Sequence, residues 1–190
     1  MTKAERPEEV EVKIPADDLE RVREKLRAGA GSLRRARHSE INDLFDSTGR
    51  LAASGCALRL RRADGTHVLT FKGPVRFEDG VKRREERETV VSDPEQMEAI
   101  LAAVGFARRF RYEKRREEWD LSDCAIALDE TPIGNFVEIE GEPSSIRRAV
   151  AALGLDFAAA LPYSYSKLYE LRRKEDPSLP PDMTFPRDRR

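Results

Sequence analysis

Glu9, Glu11 and Lys13 stand at alternate positions in the stretch EVEVKI, with Val10, Val12 and Ile14 between them. In a strand the period of two puts the three charges on one face and the three aliphatics on the other. The pattern recurs along the chain. Arg59 and Arg61 alternate with Leu58 and Leu60, and Thr70 and Lys72 with Leu69 and Phe71. Arg84, Glu86 and Glu88 share one parity of RREERETVV, and Lys114 and Arg116 one parity of RYEKRREEW. Asp129 ends an apolar run, and Glu138 and Glu140 alternate with Val137 and Ile139. Carboxylates in this density take up hard divalent cations, while guanidinium and ammonium groups take up phosphate oxygens. A polyanion carried with a divalent metal satisfies both signs at once. Alternation alone leaves two arrangements open: a flat sheet whose charged face is wet, or a curled sheet whose charged faces line a channel.

The elements that must position these residues follow from periodicity. Strands are expected at 9–14, 39–46, 56–62, 67–73, 83–91, 109–120, 124–129 and 134–140. Asp64-Gly65 forms the tip of a hairpin between the third and fourth. Helical stripes run through Leu19, Val22 and Leu26, through Met97, Ile100, Leu101 and Val104, and through Ile146, Val150 and Leu153. Asp93 and Pro94 open the second helix, Gly105 and Gly154 stop two of them, and a weaker helix is expected through SYSKLYELRR. Short links between successive strands predict an α+β protein with an antiparallel sheet or barrel, helices packing against its aliphatic face. A Glu-x-Glu pair precedes a helix three times, at Glu9, Glu86 and Glu138. The tail EDPSLPPDMTFPRDRR is rich in proline and charge, a composition expected to pack loosely or stay disordered.

Composition narrows the function classes. With 35 Lys+Arg against 36 Asp+Glu and a net charge of -1, the chain has no basic excess for general nucleic-acid binding. No apolar run approaches the ~20 residues of a membrane span, and the N-terminus has no signal-peptide core. Two cysteines, Cys56 and Cys124, lack metal-ligand spacing and read as reduced thiols of a cytoplasmic protein. His38 and His67 are too few for a three-histidine zinc site, and Trp119 is expected to pack or to close one barrel end.

Taken in order, EVEVK, LRLRR, LTFKGP, RREERE, EKRREEW, IALDETPIGNFVEIEG and YSYSKLYEL resemble the CYTH group of triphosphate tunnel metalloenzymes. That group includes class IV adenylate cyclases, thiamine triphosphatases and inorganic triphosphatases. The resemblance implies a closed eight-stranded antiparallel barrel over residues 5–172, helices outside it, with 173–190 as a tail. It implies that Glu9, Glu11, Asp129, Glu138 and Glu140 hold Mg2+ or Mn2+. Lys13, Arg59, Arg61, Lys72 and Arg116 would bind phosphates, with Arg84 and Lys114 contributing to the basic lining. Lys167 would stand near the reacting phosphate, while Glu86 and Glu88 belong to a recurring strand without a defined role. The implied ligand is a triphosphate-containing small molecule, hydrolysed or, in a cyclase, converted from ATP to cyclic AMP and pyrophosphate. A triphosphate sensor without turnover is a third class. No nucleic-acid or membrane partner is implied, and a homodimer is. One departure is NDLFDS, where many relatives carry tyrosines and this chain has Leu44 and Phe45.

Overall fold

The computed structural model describes residues 8–187. The elements run β1 (Glu8–Pro15), α1 (Leu19–Ala28), β2 (Ser32–Asp46), α2 (Arg50–Ala53), β3 (Ala57–Ala63), β4 (Thr66–Lys72) and β5 (Arg76–Glu78). They continue with β6 (Val81–Val90), α3 (Pro94–Ala103), β7 (Ala107–Leu121), β8 (Cys124–Thr131) and β9 (Gly134–Glu140), then α4 (Pro143–Ala152) and α5 (Tyr165–Glu175). Around the sheet the order is β1-β9-β8-β7-β2-β3-β4-β6, and β6 pairs back onto β1 through Glu9↔Arg84 and Glu11↔Lys82. That last pairing closes an antiparallel barrel of eight strands, with β5 continuing along the edge of β6 beyond β4. The channel arrangement is therefore the one this chain adopts. No helix among the described residues is long and apolar enough to cross a membrane.

Local signals account for the boundaries. Asp64 and Gly65 both hold positive φ (47° and 74°), as a two-residue hairpin turn between Ala63 and Thr66 requires. The Asp93 carboxylate accepts from the Gln96 backbone N–H, with Pro94 in the first turn of α3. Ser164 caps α5 by accepting from the Lys167 backbone N–H at 3.3 Å.

The aliphatic parity of each strand faces outward. Val10, Val12, Ile14, Ile126, Leu128, Val137 and Ile139 pack under α1 and α4, with Trp119 in the same layer rather than across a barrel end. A second cluster joins Phe45, Leu60 and Val91 to Leu101 of α3. Cys124 sits in the first cluster and Cys56 at the cavity wall, both as free thiols.

Two departures from the sequence expectation have physical causes. β2 begins at Ser32, seven residues before the expected 39, because its pairing with β7 slips between Leu33 and Arg35 and again between Arg35 and His38. Each slip inserts an extra residue and resets the parity, so no period of two survives in SLRRARH. The tail through Arg187 is also not loose. β7 outruns β8, which pairs it only from Arg115 onward, and this leaves backbone groups of Arg111 and Glu113 without a ladder partner on that edge. Met183 fills the gap: its N–H donates to Arg111 O and its carbonyl accepts from Glu113 N–H, both at 2.9 Å. Its side chain is fully buried against Tyr112, Tyr165 and Tyr169.

Because the outer layer is built from one parity, a charge moved into it has no partner. Val12 is 3% exposed, and Val12→Asp buries an unpaired carboxylate at a cost of several kcal/mol. Circular dichroism and urea titration are expected to find no cooperatively folded protein; a variant with the wild-type unfolding midpoint would mean that inner and outer faces are reversed.

Candidate active site

The inner parities of the eight strands enclose a cavity of about 1090 Å³. Every charged position picked out by alternation lines it except Asp129, which lies behind the wall, fully buried. In the absence of a ligand the two signs neutralise each other. Lys72 Nζ donates to Glu9 Oε1 at 2.8 Å and to Glu86 Oε2 at 2.7 Å. Lys13 Nζ lies 3.0 Å from Glu138 and 3.9 Å from the centre of the Tyr165 ring. Arg59 donates to Thr70 Oγ1 at 3.2 Å and to Glu88 at 3.3 Å, while its buried Nε–H has no partner. Among the described residues Arg61 makes no side-chain hydrogen bond and approaches Glu40 only to 3.8 Å. These two arginines thus hold donors in reserve at the cavity wall.

Asp129 acts differently from the other carboxylates. Its oxygens accept from Arg116 Nε and Nη2 at 2.7 and 2.6 Å, from Tyr165 Oη at 2.7 Å and from Lys114 Nζ at 3.1 Å. One of these bonds falls on Oδ1 and three on Oδ2, so Asp129 orients Arg116, Lys114 and Tyr165 from behind the cavity wall. Arg116 also donates to Glu138, whose other oxygen meets Lys13. Burial opposes the ionisation of Glu138, but Lys13, Arg116 and Lys114 outweigh it and hold the carboxyl well below the usual range. Arg84 directs Nε and Nη2 at the Gly73 carbonyl (3.0 and 2.6 Å), pinning the start of the link to β5 rather than aiming both donors inward.

A different balance holds where β1 meets β9. Glu140 has no side-chain hydrogen bond or ion pair among the described residues, and burial together with the charges of Glu9 and Glu11 pushes its carboxyl up. Glu9 Oε2 is buried with no hydrogen-bond partner. Around Lys72 the two carboxyls diverge: burial pushes Glu86 up to about 7, whereas at Glu9 the charges of Lys72 and Lys82 outweigh burial and hold the carboxyl down. An orphaned buried oxygen on Glu9, with Glu11 and Glu140 as acidic neighbours, is what a hard divalent cation fits. Glu11 is engaged by Lys82, which must give way for it to join such a site.

Lys167 lines the cavity at the first turn of α5, but its side chain is 43% exposed and its Nζ sits 2.9 Å from Glu170. Around it the wall turns apolar, with Leu44, Leu51, Cys56, Phe110 and Pro162. Sequence reading did not identify several inner residues. Lys82 continues the parity of Arg84 one step back. Glu40 and Asn42, both essentially unexposed, alternate inside the expected strand 39–46, and their signal was overlooked beside the Leu44–Phe45 departure. His38 and Glu118 face each other only because of the β2 slips, which the sequence does not reveal. Tyr165 enters from a helix, outside any strand period.

A CYTH domain family model matches residues 7–159. A candidate adenylate cyclase of Methanocaldococcus jannaschii is 32% identical over 141 residues, covering 73% of this chain and 79% of that protein. Among solved structures, a Pyrococcus horikoshii protein is 28% identical with a TM-score of 0.71, covering 87% of this chain and 99% of its own. A candidate adenylate cyclase of Vibrio parahaemolyticus has a TM-score of 0.75 at 20% identity, covering 85% and 97%. A Hippeastrum adenylyl cyclase candidate, described as having a dominant triphosphatase activity, has a TM-score of 0.62 at 21% identity, covering 87% and 96%. At 20 and 21% identity the likeness is one of fold.

The two kinds of carboxylate separate under substitution. Asp129→Asn removes the charge on which three buried donors converge, and is expected to destabilise by ~3–5 kcal/mol. Glu140→Gln removes a repelled charge. Since the fold raises this carboxyl, its ionisation costs stability increasingly as pH climbs above its ordinary value. The variant is therefore expected to match wild type near pH 4.5 and be slightly more stable at pH 8. Urea denaturation in a chelator measures both; an Asp129→Asn protein as stable as wild type would remove Asp129 from the centre of the network.

Proposed function

The chain belongs to the CYTH domain family, and from that premise we propose that it hydrolyses a triphosphate with the help of a divalent metal, Mg2+ or Mn2+. The observation that carries the reading is the uneven charge inside a closed barrel. Carboxylates lack compensation at Glu9 and Glu140, and unused guanidinium donors stand on Arg59 and Arg61. One end of the cavity wants a cation and the neighbouring wall wants an anion.

Glu9, Glu11 and Glu140 would hold the ion, with Glu138 beside them. When bound, it supplies charge neutralisation of the phosphate chain and acidification of a water. Arg59 and Arg61 bind phosphate oxygens through forks that are only partly engaged in the free protein. Lys13, Lys72, Lys114 and Arg116 would exchange a carboxylate partner for a phosphate one, and the Glu9 and Glu138 charges so released would be taken up by the metal. Asp129 and Tyr165 keep Arg116 aligned through that exchange. Lys167 reaches the reacting phosphate by leaving Glu170, at little cost for an exposed pair. Positive charge on all sides stabilises the charge spread over a transferred phosphoryl group. Inorganic triphosphate, thiamine triphosphate and nucleoside triphosphates are the candidate substrates. Free thiols and the lack of a membrane-spanning helix are consistent with a cytoplasmic site of action.

Adenylate cyclase is the second reading, favoured by the name of the Methanocaldococcus jannaschii relative and by the apolar wall near Lys167, which suits an organic group. The same cations and carboxylates serve both; only the nucleophile differs, water in one and a ribose hydroxyl in the other.

Product analysis decides between them. With Mg2+ or Mn2+ the protein is expected to release phosphate from at least one triphosphate, and Glu11→Gln is expected to abolish it while staying folded. Cyclic AMP and pyrophosphate from ATP would establish the cyclase reading, and no turnover of any triphosphate would refute both. A second comparison tests the inner face. Arg59→Ala is expected to weaken triphosphate binding about 10- to 150-fold, the worth of a charged hydrogen bond of roughly 1.5–3 kcal/mol. Arg62 points outward, held by buried Asp43 at 2.7 Å and by Glu98, so Arg62→Ala is expected to lower stability and leave binding within a few-fold. Calorimetric titration at fixed ionic strength reads both; a silent Arg59 with a large Arg62 effect would shift the strand register by one.

A further inference from the structure

Across the barrel from β1, three side chains from β2 and β7 converge beside Arg61 and Lys114, and none of the three has been given a role above. His38 Nε2 lies 3.5 Å from Glu40 Oε1 and 3.9 Å from Glu118 Oε1, and the three ligating atoms all fall within 4.8 Å of one another. The side chains of His38 and Glu40 are 3% and 1% exposed, and that of Glu118 is 17% exposed. His38 Nδ1 lies 2.9 Å from the Ala36 carbonyl, which can only accept, so Nδ1 carries a hydrogen. With Nε2 unprotonated, its lone pair faces two carboxylates, whose charge favours a cation, proton or metal, on that nitrogen. Neither His38 Nε2 nor Glu40 Oε1 has a hydrogen-bond partner, although both are buried. Three electron-pair donors facing one another in a dry place need a positive charge between them.

We propose that His38, Glu40 and Glu118 form a second divalent-metal site, selective for a borderline transition ion such as Zn2+, Co2+ or Mn2+ over Mg2+. Ligand chemistry sets that preference, because imidazole nitrogen suits transition ions while Mg2+ takes oxygen. Metal–ligand bonds of roughly 2.0–2.2 Å put neighbouring donors about 3–3.5 Å apart, so the trio needs only a few tenths of an ångström of closure. The outer contacts of a ligand set are present too. The Ala36 carbonyl fixes the ring tautomer, and Arg34 holds the second oxygen of Glu118 at 2.7 Å. Two cations stand in competition: Arg61 is 3.8 Å from Glu40 Oε1 and Arg35 4.0 Å from Glu118 Oε1, and both are partly exposed side chains able to withdraw. Withdrawal has a consequence that rests on the triphosphate reading. An ion on Glu40 frees Arg61, and loosens Lys114 at 3.5 Å, for phosphate. Occupancy of this site would then strengthen anion binding without touching the anion.

The test is a Co2+ titration of full-length protein saturated with Mg2+, read by visible absorption and by calorimetry without substrate. One Co2+ is expected to bind with d–d bands of a nitrogen–oxygen site. His38→Gln and Glu118→Gln are each expected to lower its affinity at least ~10-fold, while Glu11→Gln leaves it unchanged. The two variants lie on different strands, and circular dichroism selects the folded one if the other is not. Co2+ binding that persists in both, or that vanishes in Glu11→Gln instead, overturns the proposal. So does a His38 ring that stays doubly protonated by NMR at neutral pH with Co2+ or Zn2+ in excess, since the charge between the carboxylates is then a proton. Because no turnover is measured, a barrel without triphosphatase activity can still pass this test, and an active one can fail it.

Discussion

Closing the barrel crowds its inner charges into one shared space. Once β6 pairs back onto β1, most charges on the inner parity find their counter-charge across that space. An open sheet with this sequence would hydrate Glu9 or Arg116 and let each side chain choose its own rotamer. Closure converts those independent choices into one network, in which moving any ion alters the environment of several others. The outer aliphatic parity makes closure worthwhile, since Val12, Ile139 and Ile126 bury against helices only when the strands curve around a common axis.

The network explains why so charged a cavity tolerates the absence of ligand. Arg116, Asp129, Lys114, Tyr165 and Glu138 form a hub whose members satisfy each other. Such internal pairing contributes less to stability than an apolar core would, because each ion must first shed its water. Its advantage is readiness. The donors are already desolvated and oriented, so on the proposed function phosphate oxygens would replace carboxylate ones with little reorganisation. The regions that are not self-satisfied, at Glu9 and Glu140, at Arg59 and at His38, then stand out as places where something else belongs.

How much of this was legible depends on whether a strand keeps its period. β1, β3, β6 and β9 hold an unbroken alternation, and their inner residues were readable from parity alone, as was the hairpin at Asp64-Gly65. β2 does not: two register slips within seven residues hide Arg34, Arg35 and His38 from any count by twos. Contacts across the barrel are a second blind spot. Parity places Asp129 inside but cannot say that Arg116, Lys114 and Tyr165 will all meet it. Composition misled at the tail, because loose packing follows from proline and charge only if no backbone awaits pairing. The free edge of β7 beside Arg111 and Glu113 supplies that missing partner, and Met183 supplies the one apolar side chain the segment needs.

The helix α5 brings these strands of argument together at the cavity wall. Its first turn carries two residues with opposite constraints. Tyr165 is locked, its hydroxyl on Asp129 and its ring under Lys13, whereas Lys167 is partly solvated and paired only with a neighbour on its own helix. A locked residue beside a movable cation lets the helix hold the hub in register while one charge swings with the ligand. The tail reinforces the same division, because Met183 packs on Tyr165 and Tyr169, and Tyr169 Oη donates to the Pro180 carbonyl at 2.9 Å. On the proposed function the deep charges would recognise what is common to any triphosphate, and discrimination among substrates would fall to the part of the lining where Leu44 and Phe110 replace charge with apolar surface and Lys167 pairs only with exposed Glu170.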